Sequence, residues 1–553
     1  MLDTTLRDGA QAAGVSFTLQ AKVRIALELD ELGVAFIEGG WPGSNPKDEL
    51  FFREIKDYSL RNAAIVAFTA TRRKNTRVDR DNSLVKIIEA EVDWATVFGK
   101  SWLLHVTQVL RTSPEENLSM IADTVEYLRE HGMNVIFDAE HYFDGYIDNP
   151  EYAVEVLRAA VSAGASRIVL ADTNGGMLPH MAYSIVRDTL RQLPGVRLGV
   201  HMHNDSGNAV ANTLMGVLAG ASHVQVTVNG IGERTGNADL CQVVPALELK
   251  MGVRALANPK GLRRLTHLSR LVYELAGISP NPYQPYVGDN AFTHKAGVHV
   301  DAVLKTPRAY EHIAPDAVGN TRKVTVSELS GTANLAAWTM TELGLSIGKR
   351  HPALKRALGR IKDLENKGYR FDTAKASALL ILLEELGLYK RKLSVQAWRI
   401  VSEGGRGAQP RSWALVRLEV EGAGTISAGE GGGPVHAIDK AVRRALVETK
   451  PHMAEKLKLI DYRVELPGPS RDTASVVRVE VTMTDGQKTW TTVGVSDNIV
   501  EASLQALIDA IEYKQALEAI KNTMLKDTQL PSAPPTGPMS HGDSSSSHPY
   551  SRG

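Results

Sequence analysis

The chain has 553 residues, 63 Lys+Arg against 63 Asp+Glu, a formal net charge of +0 and one cysteine, Cys241. That length exceeds one ordinary domain, so a catalytic domain plus at least one further module is expected. The charge balance removes the electrostatic case for nucleic acid or an anionic membrane as the main partner, and a lone cysteine excludes an internal disulfide or a cysteine-built metal site. No run of about 18 apolar residues and no charged-then-apolar leader is present, so the expected location is the cytoplasm.

From residue 1 to 255, short apolar runs alternate with amphipathic stretches, the order of βα units around a parallel sheet. Eight strands are predicted: Leu2 to Thr4, Ala35 to Glu38, Ala64 to Phe68, Trp94 to Phe98, Asn134 to Phe137, Arg167 to Ala171, Leu198 to His203 and His223 to Val228. Eight units in this length match an α/β TIM (β/α)8 barrel, whose site lies at the C-terminal strand ends; a doubly wound sheet is the alternative. Residues 256–390 read as a helical linker subdomain, from Gly261–Ala276 to the apolar stretch Lys375–Leu388.

Residues 391–520 change to strand patterning with a weak internal repeat, in which Val416-Arg-Leu-Glu-Val420 and Val477-Arg-Val-Glu-Val481 each lead through a turn toward a helix. Two such halves predict a C-terminal α+β domain of pseudo-twofold character. The stretch 521–553, rich in Pro, Ser and Gly toward its end, reads as a disordered tail.

The strongest chemical signal is His201-Met-His203 at the end of the seventh predicted strand. Side chains at i and i+2 of a strand share a face, so both imidazoles can meet one metal; hydrogen bonding to loops is the alternative. Asp8, in Asp3-Thr-Thr-Leu-Arg-Asp-Gly9, follows the first strand, which neighbours the eighth in a barrel and lies near the seventh. Its carboxylate can complete a mixed N/O ligand set with open positions, or it can simply N-cap the turn before Gly9. Asn229 to Asn237 is glycine-rich but lacks the spacing of a nucleotide fingerprint. It reads as a tight polar loop at the mouth, with Asn237 offering an amide oxygen and Glu233 pairing with Arg234. Glu140 and Thr173, after strands five and six, share that rim, where a carboxylate and a hydroxyl can move protons and hold a substrate carboxylate; turn and capping roles are the alternative. His299, in His294-Lys-Ala-Gly-Val-His-Val-Asp301, and Tyr310 lie beyond the barrel.

Together the motifs Asp3 to Gly9, His201-x-His203, Gly232-Glu-Arg-Thr-Gly-Asn237 and Gly297-Val-His-Val-Asp301 resemble the 2-isopropylmalate, homocitrate and citramalate synthase family, whose barrel is shared with hydroxymethylglutaryl-CoA lyases. The resemblance runs from residue 1 to about 520. It implies Asp8, His201 and His203 as metal ligands, with Asn237 in or near the coordination shell. It also implies Arg7 on the enolate or keto oxygen, Thr173 on the keto-acid carboxylate, and Glu140 and His299 as proton-handling groups, His299 coming from the linker region of either subunit. Tyr310 resembles a tyrosine found near that histidine.

The implied reaction joins acetyl-CoA to a small 2-oxo acid with the help of a divalent metal, Mg2+, Mn2+ or Zn2+. Trp41 to Asp48 and Phe98 to Trp102 look more like the citramalate-forming branch, with pyruvate as substrate, than the isopropylmalate-forming branch. The C-terminal module resembles the amino-acid-responsive domain of these synthases, which implies a homodimer regulated by isoleucine. A 2-isopropylmalate synthase and a hydroxyacyl-CoA lyase are the rival expectations.

Overall fold

The computed structural model describes residues 1–324, 330–406, 408–454, 456–468 and 475–527. Of the expected tail, residues 521–527 belong to the helix Ile499–Asp527, and everything from 528 lies outside the described residues. The chain divides into two compact units: Met1–His294 with Ala302–Lys323, and Lys295–Asp301 with Val324–Gly553. The stretch 256–390, read from the sequence as one linker, therefore contributes to both.

In the first unit eight parallel strands close in chain order: β1 (Leu2–Asp3), β2 (Phe36–Gly40), β3 (Ala64–Ala70), β4 (Trp94–Lys100), β5 (Asn134–Glu140), β6 (Arg167–Asp172), β7 (Leu198–Met202) and β8 (His223–Val226). Pairing of Leu2 with both Phe36 and Gln225 closes the ring, which decides for the barrel over the doubly wound sheet. The helices around it start with local capping chemistry. Thr18, Asn45, Asp81, Ser113 and Asn149 each accept a hydrogen bond from an amide of the first turn.

Strand periodicity divides the barrel into an outer and an inner set. Ile37, Ala67, Phe137, Ile168 and Val200 point outward into the core under the helices. Leu2, Phe36, Val66, Ile136 and Val169 form a separate apolar cluster that fills the lumen floor. Two residues further along the inward parity stand Glu38, Phe68, Asp138 and Ala171, and two beyond those stand Glu140 and Thr173. The alternation that builds the floor thus also carries polar side chains to the C-terminal mouth.

The second unit contains two three-stranded antiparallel sheets: Leu393–Gly405, Ala408–Val420 and Ala423–Gly431, then Lys458–Glu465, Val477–Thr484 and Thr489–Ser496. The repeated segments are the central strands, with Val416, Leu418 and Val420 buried in one and Val479 and Val481 in the other. A third strand intervenes before each following helix, Pro434–Thr449 and Ile499–Asp527, where the sequence suggested only a turn. The helix Lys375–Glu385 is apolar on all sides and is buried from Ala376 to Leu383 in the same core as these strands.

Candidate active site

Asp8, His201 and His203 converge at the barrel mouth, one ligand atom from each lying within 4.8 Å of the others, and all three are buried. His201 Nε2 is 3.2 Å from His203 Nε2 and 3.2 Å from Asp8 Oδ2, which is 3.9 Å from His203 Nε2. Asp8 occupies the N-cap position of the turn Gly9–Gln11 but makes no side-chain cap hydrogen bond, so its carboxylate faces the imidazoles. The loop that presents it is pinned by Thr5, whose hydroxyl donates to Asp3 and accepts from the Val228 amide at 2.8 Å, tying the end of β1 to the end of β8.

Burial opposes ionisation of Asp8, yet the Arg7 guanidinium and the two histidines outweigh it and hold its carboxyl well below the usual carboxylate range. Burial also opposes a charged His201, but its bond to Asp8 raises its pKa, whereas burial and then the charge of His201 push His203 down to about 3.

Asn237 reaches this cluster because its loop is glycine-built. A Cβ on Gly236 would lie 1.9 Å from the Gly230 carbonyl, and one on Gly232 would lie 1.8 Å from Asn237 Oδ1. The amide nitrogen donates to Asp8 Oδ2 at 3.0 Å, while Oδ1, the atom a cation needs, is buried without a partner. A half-turn of the amide exchanges the two. Arg234 is held mainly by Asp205, at 2.8 and 2.9 Å, rather than by Glu233 at 3.8 Å, because its left-handed backbone turns it back across the loop. Its guanidinium also donates to the Thr173 carbonyl at 2.7 Å.

Above the triad lies a cavity of about 180 Å3 whose walls include Arg7, Phe98, Asp138, Glu140 and Thr173. Arg7 Nε donates to the fully buried Glu38 at 2.6 Å, its Nη1 lies 3.5 Å from Asp8, and the guanidinium stacks 3.9 Å over the Phe68 ring. Its planar fork is therefore fixed in direction before any ligand arrives. Glu140 ends β5 and touches the Lys100 ammonium at the end of β4. Thr173 Oγ1 accepts from the His141 amide at 2.9 Å. Phe68 and Phe98 stack at 5.2 Å, and Trp41 stands edge-on to both at 5.6 Å, making an aromatic wall.

Glu38, Lys100, Asp138 and Gln225 were not singled out from the sequence. Glu38 is the one polar residue of its strand, counting by two from Glu140 reaches Asp138, and strand register sets Lys100 beside Glu140 and Gln225 beside His201. His299 lies exposed on the helix Gly297–Lys305, and Tyr310 is 47% exposed.

A carboxylate oxygen, two facing imidazole nitrogens and an orphaned amide oxygen form a donor set that fits a divalent cation with positions left for substrate oxygens. A closed barrel with this set at its C-terminal mouth, followed by a two-sheet module, defines a metal-dependent barrel of the HMGL-like class. Residues 1–272 match the HMGL-like family, 286–369 the homocitrate synthase post-HMGL domain-like family, and 372–515 the LeuA allosteric (dimerisation) domain.

The (R)-citramalate synthase of Sulfolobus acidocaldarius is 53% identical over 528 residues, covering 95% of this chain and 99% of that protein. The (R)-citramalate synthase of Aquifex aeolicus is 49% identical, covering 93% and 97%. A 2-isopropylmalate synthase of Methanocaldococcus jannaschii is 36% identical, covering 92% and 93%. The chain belongs to the (R)-citramalate synthase family, a family of acetyl-CoA-dependent condensing acyltransferases.

Proposed function

We propose that this chain condenses acetyl-CoA with pyruvate and water to give (R)-citramalate and CoA, with a divalent cation held by Asp8, His201, His203 and Asn237. The observation that carries this reading is the Asp8–His201–His203 cluster at the barrel mouth of a chain 53% identical, over nearly its whole length, to an (R)-citramalate synthase.

When bound, the cation supplies Lewis-acid polarisation of a 2-oxo group. Thr173 binds the keto-acid carboxylate, and Arg7, pre-aimed by Glu38, meets the oxygen on which negative charge develops, so no reorganisation is needed at the moment of reaction. Glu140 removes a proton from the acetyl methyl group. The resulting carbon attacks C2 of pyruvate, forming the C–C bond, and the former keto oxygen takes a proton to become the hydroxyl. Water then cleaves the thioester, and CoA leaves with the second proton. His299 and Tyr310 enter the reading as proton-handling groups. The aromatic wall of Trp41, Phe68 and Phe98 is taken as the surface that meets the methyl group of pyruvate.

The second unit is read as the site of isoleucine feedback and of homodimer formation. Val401, Trp413, Leu415 and Ile426 share the exposed face of the first three-stranded sheet, opposite the buried residues Val416 and Leu418, and such an apolar face suits pairing with a second copy. Among the described residues no helix is long and apolar enough to cross a membrane.

Thiol release from acetyl-CoA, measured over a panel of 2-oxo acids with and without EDTA, tests the whole reading. Metal-dependent release with pyruvate preferred, and (R)-citramalate recovered by chiral chromatography, is the expected result. Preference for 3-methyl-2-oxobutanoate would move the chain to isopropylmalate synthesis.

A further inference from the structure

Gln225 on β8 is the register partner of His201 on β7, and the two side chains meet inside the barrel. Gln225 Oε1 lies 2.7 Å from His201 Nδ1, and Gln225 Nε2 donates to Asp138 Oδ1 at 2.8 Å. All three residues are buried, with Gln225 only 2% exposed, so water does not compete for these bonds. No step of the proposed chemistry uses either Gln225 or Asp138.

A primary amide can face a ring nitrogen in two ways, and the choice fixes the tautomer. With its oxygen toward Nδ1, the imidazole carries its proton there and Nε2 presents a lone pair to Asp8 and His203. With its NH2 toward Nδ1, the proton moves to Nε2 and a bond to a cation is blocked. The far end of the amide settles the choice. A carboxylate has only acceptors to offer, so the Asp138 oxygen at 2.8 Å draws the NH2 and leaves the amide oxygen for the histidine.

Building on the metal site of the preceding reading, we propose that Asp138 and Gln225 are a positioning pair that sets the His201 tautomer and thereby the cation affinity of the barrel mouth. Outer partners of a ligating histidine are typically worth 10–100-fold in metal affinity. Asp138 acts here through Gln225; it is not assigned a proton-transfer role.

The test is calorimetric titration of the full-length, metal-stripped protein with Mn2+, alongside thermal unfolding. Gln225→Leu is expected to weaken Mn2+ binding by about 10–100-fold. Asp138→Leu, which frees the amide to turn, is expected to weaken it in the same direction and serves if Gln225→Leu does not fold. Asp138→Asn can still offer an oxygen to Gln225 and is expected to keep Mn2+ affinity close to wild type. Folded Gln225→Leu and Asp138→Leu variants that bind Mn2+ as wild type does would overturn the inference. So would an Asp138→Asn variant that loses Mn2+ affinity as far as Asp138→Leu does, because an oxygen offered to Gln225 would then not be what matters. Wild-type protein that binds no Mn2+ would sink the metal site itself, a failure distinguishable from the first.

Discussion

The Nε2 atoms of His201 and His203 face each other across 3.2 Å, with the Asp8 carboxylate beside both. Two imidazole lone pairs cannot face each other at that distance, so either a proton on one ring or a bound cation lies between them. The bond to Asp8, winning over burial, raises the pKa of His201 above its ordinary 6.5, while His203 stays neutral. A cation that binds His201 Nε2 displaces the proton that the bond to Asp8 favours there. Mn2+ binding is expected to release up to one proton and to weaken as pH falls, approaching tenfold per pH unit where the ring is fully protonated. Titration in buffers of different ionisation heat counts the proton, and a pH-independent affinity would contradict the arrangement. His203→Ala is expected to abolish metal-dependent CoA release while circular dichroism stays native.

Arg7 is held by Glu38 and Asp8 and lies over Phe68, a geometry that a planar guanidinium satisfies and an ammonium does not. Arg7→Lys keeps the charge but loses the fork. Its expected cost is roughly 10²–10³ in kcat, the scale of removing one preorganised donor at a developing oxyanion, with a smaller change in KM for pyruvate. An equal loss in 1/KM with kcat intact would assign Arg7 to ground-state binding instead.

The parts of this site visible in the sequence were those whose meaning survives locally. His201 and His203 share a face because strands repeat every two residues, and Asp8 is near them because β1 and β8 are neighbours in a closed barrel. Glu38, Lys100, Asp138 and Gln225 carry no such local mark; only closure turns eight separate parities into one lumen. One strand of the C-terminal module is hidden in the sequence for a different reason. Ala423–Gly431 is built from small residues and glycine, which read as a loop, and it is a strand because it pairs along its length with Ser412–Val420.

The aromatic wall makes a size prediction. Phe98 stacks on Phe68 and meets Trp41 edge-on, so truncating it opens space without touching Asp8 or either histidine. Phe98→Ala is expected to shift the ratio of kcat/KM values toward 3-methyl-2-oxobutanoate by about 10–200-fold, the range for one methylene in an apolar pocket. The ratio measured by thiol release decides. No shift would place the 2-oxo acid side chain against a different wall.

Asp3 supplies a test of stability against pH. Its carboxyl is fully buried, with one oxygen accepting from the Thr5 amide and the other from the Thr5 hydroxyl, both at 3.0 Å. Burial, countered in part by the Thr5 bonds and reinforced by the charge of Glu38, raises its pKa from 3.8 to about 7. The folded protein thus keeps a proton that the unfolded chain loses above about pH 4. Stability attributable to Asp3 is fully present below that pH and declines as pH rises toward 7, by at most about 1.4 kcal/mol per pH unit. Asp3→Asn is neutral throughout, so the variant's Tm relative to wild type is expected to climb between pH 5 and pH 7 and then level off, the upper limit being the raised pKa of about 7. Parallel Tm curves for the two proteins would show that Asp3 ionises in the fold as it does in water, and that Thr5 and the chain around it solvate the charge.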